Sequence, residues 1–302
     1  MNRILRHLTI GLAAMPLLAW AQTPTPLPVV ASFSILGDVV AQVGGPQIAL
    51  TVLVGPGSDA HVHQPTPAQA RAVGAARVAF SHGMGFEGWM PRLLRSSGFK
   101  GTHALVSEGL KPLRVAGGTG HGHGHAHDSD PHTWQAVPAV VHHTGRVADA
   151  LCSADAAACP QYRERAAAYV QRLQALDQFI RQAWAAVPQA ERVVVTSHDA
   201  FGHYAAAYGV RFLSPQGIST EAEASAKGVA QLVRQIKAER VRALFVENIA
   251  DPRLLDQLGR ETGVRPGGAL YSDALSLPDG PAASYEALMR HNTQLMVLAL
   301  KR

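Results

Sequence analysis

Fifteen histidines in a chain of 302 residues are a large stock of imidazole, and three of them stand out with one carboxylate for where they sit. His61 follows the turn Gly57-Ser58-Asp59-Ala60. His132 lies in Asp130-Pro131-His132-Thr133-Trp134, at the start of a helical pattern. His198 directly follows the strand-like run ending in Thr196-Ser197, and Asp273 lies in Tyr271-Ser272-Asp273 after the apolar Ala269-Leu270. All four occupy junctions between elements, where α/β lobes gather their ligand sites. Three imidazoles and one carboxylate converging from such junctions would suit a borderline-soft divalent ion such as zinc. Spacing alone does not make them meet, and any one of these histidines could equally cap a helix or take a hydrogen bond.

Other histidines and the cysteines suggest different roles. His121-Gly122-His123-Gly124-His125-Ala126-His127 is a low-complexity tract in which glycine disfavours helix and alternate imidazoles sit on a pliable chain. It reads either as a solvated loop or as a weak accessory metal site. His61 and His63 would point to opposite sides of an extended segment, so His63 is expected to pack or to make a secondary contact. His82 and His203 receive no role, while His142, His143 and His291 are expected on helix surfaces. Cys152 and Cys159 are the only two cysteines. In an exported chain such a close pair reads as a disulfide.

The elements that must carry these residues alternate. Strand patterns at 28–33, 48–54, 77–80 and 104–106 are interleaved with helical ones, including a helix opened by Thr66 and Pro67. A second alternation begins at Arg192-Val193-Val194-Val195 and includes the buried strand pattern Ala243-Leu244-Phe245-Val246, a helix opened by Asp251-Pro252 and a last helix over about 282–300. Between them, residues 160–187 place Ala166, Val170, Leu173, Leu176, Ile180 and Trp184 at helical spacing. The expected fold class is α/β: two lobes, each a mostly parallel sheet flanked by helices, joined by a long helix.

Composition bounds the function. Hydrophobic residues make up 47% and charged residues 16%, which excludes a disordered chain and a solvated coiled coil. The net charge of +5 comes from scattered Arg with no basic stripe interleaved with aromatics, so no nucleic-acid partner is expected. Arg3 and Arg6, the apolar run 8–20 and Ala19-Trp20-Ala21 form a secretory signal peptide cleaved after Ala21, which leaves a net charge of +3. The expected division is signal peptide 1–21, extended leader 22–27, first lobe 28–159 with the His-rich loop at 117–130, linking helix 160–188 and second lobe 189–302.

Asp59-Ala60-His61-Val62-His63-Gln64-Pro65, Asp130-Pro131-His132-Thr133-Trp134, His198-Asp199-Ala200-Phe201-Gly202 and Ser272-Asp273, in this order, resemble the cluster A-I solute-binding proteins of bacterial zinc and manganese ABC importers. The likeness extends to Gly85-Phe86-Glu87 and Leu244-Phe245-Val246-Glu247 and covers nearly all of the mature chain. It implies His61, His132, His198 and Asp273 as metal ligands in a cleft between lobes joined by one rigid helix. Manganese members place a carboxylate where this chain has His198, so the resemblance implies zinc. It also implies that His121, His123, His125 and His127 bind further zinc weakly, just ahead of the second ligand motif.

The function so implied is a monomeric periplasmic receptor, not an enzyme, that captures Zn2+ and delivers it to an inner-membrane ABC permease. A periplasmic metallochaperone is a conceivable partner. Competing readings are a zinc hydrolase, with Glu247 or Glu221 as base, and a zinc chaperone or adhesin on the same scaffold. A hydrolase needs an open coordination position, which four protein ligands would close. Ligation needs neutral imidazole, so affinity is expected to fall as pH drops through about 6.5.

Overall fold

The structure, a computed structural model, describes residues 25–114 and 129–301. The expected signal peptide at 1–21 and His121, His123, His125 and His127 lie outside the described residues. The first lobe starts with β1 (Leu27–Phe33), whose Val29–Phe33 are all buried, as expected of a strand covered on both faces. There follow α1 (Ser34–Gly44), β2 (Ile48–Val54), α2 (Pro67–Ala75), β3 (Val78–Ser81), α3 (Met90–Ser96) and β4 (Thr102–Leu105). The four strands form a parallel sheet in the order β2-β1-β3-β4, with Val29 level with Leu50 on one side and Val78 on the other.

Helix α2 begins where its sequence says it should. Thr66 Oγ1 accepts the Gln69 N–H at 3.3 Å, Gln69 Oε1 accepts the Thr66 N–H at 2.8 Å, and Pro67 needs no partner at the first helical position. Two short strands not anticipated from sequence, β5 (Leu113–Arg114) and β6 (Ser129–Asp130), pair antiparallel at either side of residues 115–128. They deliver the chain to the Asp130–His132 turn and to α4 (Val137–Ala154).

After α5 (Cys159–Ala185), the second lobe runs β7 (Val193–Val195), α6 (Gly202–Tyr208), β8 (Arg211–Leu213), α7 (Ala226–Glu239), β9 (Ala243–Glu247), α8 (Pro252–Thr262), β10 (Pro266–Leu270) and α9 (Tyr285–Leu300). Its parallel sheet has the order β10-β9-β7-β8. Each lobe therefore places its first strand between its second and third, with its fourth outside the third. The last helix starts at Tyr285 rather than near Ala282, because Ser284 accepts the Ala287 N–H and sets the cap there.

Helix α5 is about 40 Å long at 1.5 Å per residue. One stripe of it, Tyr162, Ala166, Tyr169, Leu173, Leu176, Ile180 and Trp184, is buried. Two tyrosines thus join the expected aliphatic face, and Val170 lies at its edge. Near its start, Arg165 donates to the Val43 and Gly44 carbonyls at the end of α1. Near its other end, the Trp184 indole donates to the Tyr204 hydroxyl of α6 at 2.8 Å. The Cys152–Cys159 disulfide ties the end of α4 to the start of α5.

The lobes also bind each other directly. Asp38 of α1 accepts the Tyr285 N–H at the head of α9 at 2.8 Å, and the Tyr285 hydroxyl donates to the Trp134 carbonyl at 2.8 Å. The Val137 N–H at the start of α4 donates to the Tyr208 hydroxyl of α6 at 3.2 Å. Among the described residues no helix is long and apolar enough to cross a membrane.

Candidate metal centre

The four residues singled out in the sequence meet. His61 arrives from the loop after β2, His132 from the turn after β6, His198 from the turn after β7 and Asp273 from the turn after β10. One donor atom from each lies within 4.8 Å of the other three. Asp273 Oδ2 is 3.3 Å from His61 Nε2, 3.7 Å from His132 Nε2 and 3.1 Å from His198 Nε2, and the His61 and His132 Nε2 atoms are 3.3 Å apart. His132, His198 and Asp273 are at most 1% exposed and His61 is 6% exposed.

His61 Nε2 and His132 Nε2 are within hydrogen-bond reach of each other, but the other close approaches do not make hydrogen bonds. Neither Asp273 oxygen has a hydrogen-bond partner, and the His198 N–H vectors miss the carboxylates beside them. Buried charge left in this state is costly unless a cation completes it. The donor set therefore reads as a cation cradle rather than as a self-satisfied polar cluster.

Each lobe orients its imidazoles with carboxylates. Asp59 Oδ1 accepts the His61 N–H at 2.8 Å, and Asp130 Oδ1 accepts the His132 N–H at 2.9 Å, the same turn used twice. Asp130 Oδ1 also takes His132 Nδ1 at 2.7 Å. In the second lobe Glu247, the last residue of β9, accepts the His198 N–H at 2.8 Å, and its other oxygen lies 2.6 Å from His198 Nδ1. A carboxylate behind Nδ1 fixes the tautomer and leaves Nε2 for an ion. The rival hydrolase reading offered Glu247 or Glu221 as a base; Glu247 faces the Nδ1 side of His198. The Asp-x-His spacing at 59–61 and 130–132 was the signal for the carboxylates at 59 and 130.

The buried charges of the cluster shift one another's titration. Burial works against charge on His132, but Asp273 and Asp130 outweigh it and raise its pKa to about 9. Burial likewise opposes charge on His198, and Glu247 and Asp273 overcome it, so its pKa also rises well above the usual value. Burial would raise Asp273, yet His132 and His198 hold it well below the usual carboxylate range.

The remaining histidines sort by contact. His63 bonds Gln69 at 3.1 Å and stands edge-on to Trp89, outside the cluster. His203 Nε2 reaches the Asp130 carbonyl across the lobes at 3.0 Å. Beside it, Gly202 is required by close approach, since a Cβ there would stand 2.5 Å from Asp130 Oδ2. His82 and His143 both bond the Thr133 hydroxyl, at 3.2 and 3.0 Å. His143 is buried, against the expectation of a helix surface, because it shares the buried stripe of α4 with Val140, Val147 and Leu151. Burial drives the pKa of His82 down to about 3 and that of His143 well below its usual value, so both are neutral.

Comparison with known proteins decides what this centre belongs to. Residues 29–299 match the family model "ZnuA: Zinc-uptake complex component A periplasmic". The chain belongs to that family. Curated relatives of this ZnuA-family chain include "Manganese-binding lipoprotein MntA" of Bacillus subtilis, 30% identical with 91% of this chain and 90% of the relative covered. "Iron-binding protein YfeA" of Yersinia pestis is 28% identical, with 86% and 82% covered. The solved structure of "periplasmic zinc binding protein TroA from Treponema pallidum" superimposes with a TM-score of 0.85 at 28% identity, covering 92% of this chain and 99% of that one. The family consists of solute-binding proteins of metal ABC transporters, so this chain is a metal-binding solute receptor and not an enzyme.

Proposed function

We propose that the chain is a periplasmic receptor that captures Zn2+ with His61, His132, His198 and Asp273 and hands it to an inner-membrane ABC permease. The observation that carries the choice of ion is the donor set: three imidazole nitrogens and one carboxylate oxygen within 4.8 Å of one another, at a spacing that a tetrahedral zinc ion can span. Three imidazoles and one carboxylate also favour zinc over the harder manganese ion. One ionised carboxylate leaves a bound zinc at a net charge of +1.

The disulfide suits an oxidising compartment. We further propose cleavage after Ala21, a first lobe at 28–159, a linking helix at 160–188 and a second lobe at 189–302. In this reading the receptor works as a monomer. His121, His123, His125 and His127 hold additional zinc weakly, and a metallochaperone is a candidate donor.

Competition titration tests the ion. The mature protein lacking residues 117–128 is expected to bind one Zn2+ tightly and to keep it against excess Mn2+. Tight binding of Mn2+ with weak binding of Zn2+ overturns zinc as the cargo, a live alternative because curated relatives are named for manganese and iron. Loss of all tight binding on the deletion places the primary site in the His-rich segment instead.

A further inference from the structure

We propose that Thr220 is a positioning residue: its bond to Asp59 latches the 216–221 segment of the second lobe over the cation's way in and out. The proposal rests on the reading that the four-residue cluster binds a divalent cation. It starts from the Asp59 carboxylate, which works in two directions. Oδ1 accepts the His61 N–H at 2.8 Å, and Oδ2 accepts the Thr220 hydroxyl at 2.6 Å from the opposite lobe.

The segment that carries Thr220 is fastened to a second ligand at its other end. Gln216 forms a bridge with His198, and the Asp199 N–H donates to the Gly217 carbonyl at 3.2 Å. The Gln216 amide folds the segment on itself by donating to the Thr220 and Ala222 carbonyls. Residues 216–221 thus run from the His198 turn of one lobe to the His61 turn of the other. Among the recorded bonds, the link from this segment to the first lobe is the one between Thr220 and Asp59.

This strap lies where the centre opens. A narrow cavity of about 30 Å³ reaches His61, with Met84 and Phe86 on the first-lobe side and Ile218, Ser219 and Glu221 on the second-lobe side. That is room for one or two water molecules. On the other flank, a groove of about 490 Å³ reaches His198 and has both Asp59 and Thr220 in its wall. His61 is the ligand nearest solvent, so it is the first donor an arriving ion meets and the last it leaves. One hydrogen bond therefore couples the closure of the opening to the seating of that ligand. The opposite rim is braced by hydrogen bonds. Gly83, Met84 and Gly85 all have positive φ, and buried Glu87 clamps them by accepting the His82 and Gly83 N–H groups. In this proposal the mouth opens by movement of the 216–221 side, which one bond holds to the first lobe.

Stopped-flow transfer of one equivalent of Zn2+ from the full mature protein to excess chromophoric chelator tests the latch. Thr220→Val is expected to release zinc about tenfold faster, as loss of a hydrogen bond to a charged group implies. Its association rate should not fall, and the metal-free protein should stay folded, with far-UV circular dichroism like wild type. Thr220→Ser, which keeps the hydroxyl, should restore the wild-type release rate. Release by Thr220→Val within twofold of wild type, or equal acceleration by Thr220→Ser, overturns the latch. Failure of the underlying reading looks different: the wild-type protein then takes up no zinc to release.

Discussion

At the scale of single residues, the centre is a contest between protons and a cation for the same lone pairs. Replacing Glu247 with Gln keeps its size but removes the charge behind His198 Nδ1. Zinc affinity is expected to fall about 10–100-fold, read by competition with a chelator, while the metal-free protein stays folded. The pH dependence follows from His132, whose folded pKa of about 9 exceeds the ordinary imidazole value of 6.5. A raised pKa contributes stability that is complete below about 6.5 and is lost as pH rises through about 9. The melting temperature of the metal-free protein should therefore fall between pH 7 and 9.5. Zinc affinity should climb over the same interval, because fewer protons must be displaced. A pH series of melting curves with and without zinc checks both signs. The four converging residues were legible because they sit in ordered motifs at element junctions. The orienting contact of Glu247 was not, since it joins residues 49 apart in the chain. His143 was misplaced because its polarity outweighed its helical spacing from Val140 and Val147, and that spacing was the better guide.

At the scale of elements, periodicity and caps gave most of the architecture. The runs that became β1, β7 and β9 are mostly apolar, and Thr66 and Asp251 mark helix starts that the structure reproduces. Two features escaped for physical reasons. Helix α6, Gly202–Tyr208, is two turns of mostly small residues, too short for a hydrophobic stripe to show. Strands β5 and β6 are two residues each and exist only by pairing with one another. The Cys152–Cys159 bridge closes a short loop between α4 and α5, and loop entropy assigns it about 2–3 kcal/mol. Replacing both cysteines with serine should lower the melting temperature by several degrees. Zinc affinity should not change, because Cys152 lies about 22 Å along α4 from its start beside the His132 turn. Thermal melts and the same chelator competition decide the point.

At the scale of the whole molecule, the two similar halves and the long helix between them were visible in the alternation of the sequence. What binds the halves together was not, because Asp38 and Tyr285, or Trp134 and Ser272, are neighbours only after folding. Helix α5 is anchored to α1 near one end and to α6 near the other, and α9 is capped from the first lobe. These ties oppose wide opening. Small-angle scattering of the metal-free and zinc-loaded protein is expected to give the same radius of gyration. A resolvable decrease on loading would show that the ties yield.

The Trp134 indole and the Gln135 amide both donate to the Ser272 carbonyl, at 2.8 and 2.7 Å, in the residue just before Asp273. Two of the four donors, one from each half, are thereby tied together through neighbouring residues, by bonds that need no ion. If they persist on loading, an empty receptor and a full one share nearly the same silhouette, which the scattering experiment checks. A transporter that distinguishes them must do so by touch at the rim, where His61 and its neighbours come nearest the surface.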